Sequence, residues 1–244
     1  MKILVIGDSC TDIFVYGNSY RLCPEAPVPI FEPSRTVTND GMAGNVKANL
    51  ESLGAKVELI TNKEQITKTR YVDNKSNQMF LRVDSSDRVK PAFDINRVNW
   101  NVDAVIVSDY DKGFLTESDI HQISKKHSLT FIDTKKPIKL QTFSDYTCVK
   151  MNEYEWELCE KNGAKYEDWS DKLIITMSER GCLYKNQIFP VNNDIEVRDL
   201  SGAGDTFMAG LTIKYLETKN VKEAIQFANI CASKVVQKKG VVTL

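Results

Sequence analysis

Histidine is scarce in this chain. Only His121 and His127 occur, and neither lies beside a cysteine, so a mixed His/Cys metal centre has no ligand set. The six cysteines (Cys10, Cys23, Cys148, Cys159, Cys182 and Cys231) are scattered and form no C-x-x-C pair. That excludes a zinc ribbon or a dithiol redox motif and points to a reduced, cytoplasmic setting. Long apolar runs are missing, which excludes a membrane-spanning helix. The apolar run at the N-terminus, from Ile3 to Ile6, is too short for a secretory signal and reads as a buried first strand. Neither sign of charge prevails, with a formal net charge of −1, so neither nucleic acid nor an anionic membrane is an expected partner. No repeat, low-complexity tract or Gly/Ser-rich linker interrupts the 244 residues, which read as one soluble domain, 1–244.

What the chain does have is alternation. Short apolar runs at 2–7, 56–61, 103–108, 130–133, 147–150 and 173–176 predict strands. Longer amphipathic segments at 43–53, 116–126, 153–161, 203–217 and 221–238 predict helices. The order is that of an α/β fold with a mostly parallel central sheet and helices on both faces. Ligands of such sheets bind beyond the carboxyl ends of the strands. Two segments, 12–32 and 67–84, carry strand patterns with no helix to cover them, the second as a hairpin around 73–77. They predict a small β-sheet over the strand ends, acting as a lid.

The most telling stretch is Asp199-Leu200-Ser201-Gly202-Ala203-Gly204-Asp205-Thr206. It reads as a tight glycine turn opening a long helix. Free N–H groups at the helix start favour an anion, and Asp205 would repel a phosphate bound there. A carboxylate in that place makes sense as a base beside a phosphoryl group under attack. An ordinary capped helix, with Asp205 complementing the dipole, competes with this reading.

Together these parts resemble the ribokinase-like (PfkB) carbohydrate kinases, from Lys2 to the C-terminus. Gly202-Ala203-Gly204-Asp205, Gly41-Met42-Ala43-Gly44-Asn45 and Asn152-Glu153-Tyr154-Glu155 are similar to three signatures of that family. A narrower resemblance is to the kinases of D-glycero-D-manno-heptose 7-phosphate, the kinase half of a bifunctional kinase/nucleotidyltransferase of lipopolysaccharide-core synthesis. It is carried by Gly7-Asp8 with Asp12, Tyr16-Gly17, Arg21 with the run Pro24 to Pro29, and Thr67-Lys68-Thr69-Arg70. Leu81 to Asp84, Ser108-Asp109-Tyr110-Asp111-Lys112-Gly113 and Thr176 to Gly181 complete it.

The resemblance implies a three-layer ribokinase-like sandwich, ATP with Mg2+, a monovalent cation such as K+ near Ser201, Gly240 and Thr243, and a homodimer formed through the lid. Asp205 becomes the general base, and Gly202, Ala203 and Gly204 donate backbone N–H groups to the transferred phosphoryl. Asp12, Gly41 and Asn45 bind the sugar. Arg21, Lys68, Arg70, Arg82 and Lys112 meet a phosphate already on the substrate, although lysines and arginines on a hairpin also serve only to solvate it. Lys135, Asn152, Glu155, Thr176, Ser178, Gly181 and Asn229 fall on the nucleotide side. Asn152 and Glu155 hold magnesium through water, unless they are simply an N-cap and its partner three residues on.

Two departures stand out. Met42 replaces the second glycine of the sugar signature, so either the backbone there is ordinary or the pocket is reshaped. After Thr61 the chain passes almost directly to Thr67, where relatives of the family continue for several dozen residues, and the nucleotidyltransferase half is absent. The expectation is a compact stand-alone kinase. A kinase of another sugar, sugar phosphate or nucleoside, and a catalytically silent sugar- or nucleotide-binding protein, are the alternatives.

Overall fold

Ile3, Leu4, Val5 and Ile6 are fully buried, as befits a strand covered on both faces. In the computed structural model they form β1 (Lys2–Gly7). The structure describes all residues except 86–87, 137–139, 192–194 and 239, and the side chains of 140 and 141. Along the chain follow β2 (Ser9–Asn18), β3 (Glu32–Met42), α1 (Ala43–Ser52), β4 (Lys56–Ile60), β5 (Thr67–Asp73) and β6 (Met79–Asp84). Next come β7 (Ala104–Asp109), α2 (Glu117–Ser124), β8 (Thr130–Thr134), α3 (Leu140–Phe143), β9 (Cys148–Asn152) and α4 (Glu153–Lys161). The remainder is β10 (Leu173–Thr176), β11 (Cys182–Tyr184), β12 (Gln187–Phe189), α5 (Ala203–Thr218) and α6 (Val221–Val235).

Eight strands make the central sheet, in the order β12-β11-β10-β9-β8-β7-β1-β4. It is parallel from β10 to β4, and β11 and β12 continue it antiparallel. The α/β expectation therefore holds. One face packs on α1, α5 and α6, through Val46, Leu50, Phe207, Met208, Leu211, Ile225 and Ala228 among others. The other packs on Ile120, Ile123, Tyr146, Trp156 and Trp169. Val89, Phe93, Val98, Trp100 and Val102, from a stretch whose one helical turn is the 3-10 turn Ile95–Arg97, belong to or pack against the same cluster.

The second sheet has the order β3-β2-β5-β6. The expected hairpin is its β5–β6 pair. The segment 12–32 contributes less than expected, since β2 ends at Asn18 and its partner β3 begins only at Glu32. β3 pairs with β2 over ten positions yet is exposed along most of its length. A strand that buries almost nothing shows no alternation to read. The β11–β12 hairpin is also unanticipated. Its two-residue turn, Lys185-Asn186, has φ of 50° and 59°, the left-handed torsions of a tight hairpin, with lysine where glycine or asparagine is usual.

Register sorts the small sheet by face. Asp12 aligns with Lys68, Phe14 with Arg70, Arg70 with Arg82 and Lys68 with Asp84. Cys10, Asp12, Phe14, Lys68, Arg70, Arg82 and Asp84 thus share one face. Ile13, Val15, Tyr71, Leu81 and Val83 share the other.

Candidate active site

Asp205 sits in the first turn of α5, buried, at the carboxyl ends of the central strands. Gly202 precedes it at φ 79°, left-handed and therefore cheap only for glycine. A Cβ on Gly202 would stand 2.6 Å from Asn45 Nδ2, and one on Gly204 would stand 2.9 Å from Lys150 Nζ. The two glycines thus let α1 and β9 bring polar groups against the turn. The turn itself is fastened by Asp199, whose carboxylate accepts the Ser201 N–H at 2.8 Å and the Gly240 N–H at 3.0 Å.

Both carboxylate oxygens of Asp205 are engaged. Asn45 Nδ2 donates to Oδ2 at 2.8 Å, and the Tyr110 hydroxyl donates to Oδ1 at 2.6 Å. Asn49 Nδ2 donates to Asn45 Oδ1 at 3.0 Å, which points the Asn45 NH2 at the carboxylate. Thr206 Oγ1 donates in turn to Asn49 Oδ1 at 3.2 Å. Burial pushes the Asp205 carboxyl up to about 6; the bonds from Tyr110 and Asn45 oppose the rise, Asp133 adds to it and Lys150 opposes it. A carboxylate kept ionised at neutral pH, yet more basic than a free one, suits a general base.

Lys150 was not singled out by sequence reasoning. It is buried in the middle of β9, its ammonium 2.5 Å from Asp133 Oδ2. Burial pushes Asp133 up, but the Lys150 and Lys135 ammonium groups outweigh it and hold the carboxyl below its usual range. The only sequence signal for Lys150 was a charge at a strand end, which strands commonly show.

Lys135, after β8, pairs with Glu155. Asn152 and Glu155 form a reciprocal cap on α4. Glu155 N–H donates to Asn152 Oδ1 at 2.9 Å, and Asn152 N–H donates to Glu155 Oε2 at 2.8 Å. The capping geometry is thus present, and it engages Asn152 Oδ1 and both carboxylate oxygens of Glu155. The pair offers hard oxygen atoms with a single carboxylate, which suits an ion that keeps most of its water. Among the described residues no three His, Cys, Asp or Glu side chains converge as a metal cage.

On the small sheet, Arg70 holds Asp12 at 2.5 Å. Gly41 is needed beside them, because its Cβ would fall 2.2 Å from Asp12 Oδ2. Lys68 Nζ stands 5.6 Å from the centre of the Tyr110 ring. Arg82 turns to Asp84 at 2.7 Å on the same face. Arg21 is exposed in the segment between β2 and β3. Lys112 donates its backbone N–H to Asp8. Met42 adopts torsions that favour glycine, φ 58° and ψ −130°, while its side chain is buried in the core. The backbone is therefore not ordinary there, and packing holds a conformation that costs a non-glycine residue about 1–3 kcal/mol.

At the end of β10, Thr176 Oγ1 donates to the Met151 carbonyl at 3.2 Å. Ser178 is exposed at φ 54°. A Cβ on Gly181 would meet the Phe189 carbonyl oxygen at 2.0 Å, and the Asn229 amide donates to that same oxygen at 3.0 Å. Gly181 and Asn229 thus brace the end of β12. Among the described residues no helix is long and apolar enough to cross a membrane.

Residues 61–244 match the profile of the pfkB family carbohydrate kinases. The bifunctional protein HldE of Helicobacter pylori is 34% identical over 294 residues, covering 98% of this chain and 63% of the relative. An alignment of 294 positions that takes in about 239 of the 244 residues leaves about 55 positions of the relative without a counterpart here. The ribokinase of Thermotoga maritima superposes with a TM-score of 0.71 at 17% identity, covering 98% of this chain and 94% of that one. Phosphofructokinase-2 of Escherichia coli, solved in complex with potassium, gives 0.70 at 14%, covering 98% and 94%. The fold is therefore ribokinase-like, and the chain belongs to the pfkB family of carbohydrate kinases.

Proposed function

We propose that this chain transfers the γ-phosphoryl group of ATP to the anomeric hydroxyl of D-glycero-D-manno-heptose 7-phosphate, forming the 1,7-bisphosphate. The observation that carries the reading is Asp205, buried at the start of α5 and held by Asn45 and Tyr110, below a sheet face bearing Lys68, Arg70 and Arg82. Asp205 takes the proton of the attacking hydroxyl. The N–H groups of Gly202, Ala203 and Gly204, with the adjacent Lys150, receive the charge that develops on the phosphoryl oxygens. Asp12, Gly41 and Asn45 orient the sugar, and the three cations, with Arg21 and Lys112, meet its phosphate. Lys135, Thr176, Ser178, Gly181 and Asn229 line the nucleotide side. Asn152 and Glu155 would hold Mg2+ through water, whose charge neutralises the phosphates when bound. Asp199, Ser201, Gly240 and Thr243 supply oxygen atoms of the kind a monovalent cation takes.

ATP-to-ADP turnover against a panel tests this: heptose 7-phosphate, sedoheptulose 7-phosphate, fructose 6-phosphate, ribose and adenosine. Turnover with heptose 7-phosphate alone is the expected result. A preference for another member overturns the substrate and keeps the chemistry. Met42, inside the sugar signature, favours that second reading.

The outer face of the small sheet, with Ile13, Val15, Tyr71, Leu81 and Val83, is the surface for a homodimer. Leu81 and Val83 are 55% and 47% exposed, an unusual choice for a surface strand unless covered. Sedimentation should find a dimer that Leu81→Lys converts to monomer; an unaltered sedimentation coefficient would exclude this face.

A further inference from the structure

The loop after β7 carries a tyrosine whose placement the expected roles did not use. Tyr110 donates its hydroxyl to Asp205 Oδ1 at 2.6 Å. Its backbone N–H donates to the buried Asp8 carboxylate at 2.8 Å, so the loop that presents the phenol is itself anchored. Two ammonium groups stand over the ring: Lys68 from the small sheet at 5.6 Å and Lys135 from the nucleotide side at 5.4 Å, both within cation–π range. One side chain thus touches the carboxylate, a cation facing the sugar and a cation facing the nucleotide.

We propose that Tyr110 is a positioning residue for phosphoryl transfer: its hydroxyl fixes the carboxylate of Asp205, and its ring is the shared platform on which Lys68 and Lys135 are spaced. The proposal rests on the reading of Asp205 as base. Asp205 has no donor from its own helix on either oxygen among the bonds described; Asn45 comes from α1 and Tyr110 from the β7–α2 loop. Two donors from two elements define the carboxylate plane, and removing one frees it to rotate. A phenol donating to a carboxylate also favours the ionised form. Tyr110 itself stays protonated, held well above its usual range by burial and by the charge of Asp205.

The test is Tyr110→Phe, which keeps the ring and both cation contacts and removes only the hydroxyl. The other titratable groups around Asp205 are Asp133 on β8, Lys150 on β9, Lys135 after β8 and the neutral Cys10 thiol on β2, and all remain. In unliganded protein labelled with 13C at aspartate carboxyls, the resonance missing from Asp205→Asn identifies Asp205. Its midpoint should rise by about one pH unit in Tyr110→Phe. With 3,5-difluorotyrosine at 110, a stronger donor, it should fall. In turnover, kcat should drop about tenfold in Tyr110→Phe while the sugar KM stays within twofold. A midpoint unmoved in both proteins overturns the proposal, as does a change confined to KM. Should Tyr110→Phe fail to fold, the difluorotyrosine shift decides alone. The underlying reading fails separately, and visibly, if Asp205→Asn retains turnover.

Discussion

Asp205→Asn should lose turnover by about 10²–10⁴-fold and, at neutral pH, gain stability. The kinetic half follows from removing the carboxylate proposed as base at the α5 turn. Nucleotide binding should survive, because the glycine N–H groups and Lys150 are untouched. The stability half follows from burial. The folded carboxyl titrates at about 6 against an ordinary 3.8. Between those values the folded protein holds a proton that the unfolded chain has released. Stability therefore falls as pH rises from about 4 to about 6 and stays lowered above. The cost at pH 7.5 is at most about 3 kcal/mol. An asparagine escapes it, with its oxygen accepting from Asn45 and its NH2 donating to the Tyr110 oxygen. Thermal unfolding at pH 7.5 should rise by about 6–10 °C, and the advantage should shrink at pH 4.5. In the unaltered enzyme, kcat/KM should fall about tenfold per pH unit below about 6. Turnover within tenfold of the parent would remove Asp205 as base. A lower melting temperature at pH 7.5 would show that its charge costs the fold nothing.

Asp8→Ala should destabilise the protein by about 3–5 kcal/mol, against a total that is commonly about 5–15 kcal/mol. Asp8 is fully buried between β1 and β2. Its carboxylate accepts the N–H groups of Tyr110 at 2.8 Å, Lys112 at 3.2 Å and Phe114 at 3.2 Å. Its carbonyl accepts the first N–H of α1, from Ala43, at 3.0 Å. Alanine leaves three loop donors without that partner, each worth about 1–3 kcal/mol when buried, less what entering water recovers. Urea unfolding should show the midpoint falling with the slope unchanged. Turnover should fall as well, since Tyr110 hangs from this loop. A loss under about 1 kcal/mol would mean that the loop holds its shape without the carboxylate.

What could be read from the sequence depended on how much each segment buries. The central strands were legible because both faces are covered, so β1 and β10 lie where their apolar runs do. The five longer helices were legible, and α4 begins at the expected Asn152 and Glu155, whereas the single turn of α3 was too short to show a period. β3 was not, because its residues are mostly exposed and its hydrogen bonds to β2 leave no mark on composition. Met42 misled in the opposite way. Methionine argues against a left-handed backbone, but its side chain is held in the core and the torsion persists.

The chemistry divides along the same line. Asp205 and the glycines before it lie within one short stretch of chain, so their spacing alone determined a helix start with a carboxylate in its first turn. Family membership followed from such local signatures. The tertiary structure decided what Asp205 touches. Asn45 lies 160 residues away in sequence and Tyr110 lies 95 away, and neither has any local mark of its partner. It also decided which cations of the small sheet face the same way, because strand register assigns Lys68, Arg70 and Arg82 to the face shared with Asp12. Sequence periodicity reports burial within a segment. The distance between two buried polar groups is settled only when the strands that carry them are in register and the turns between them are closed.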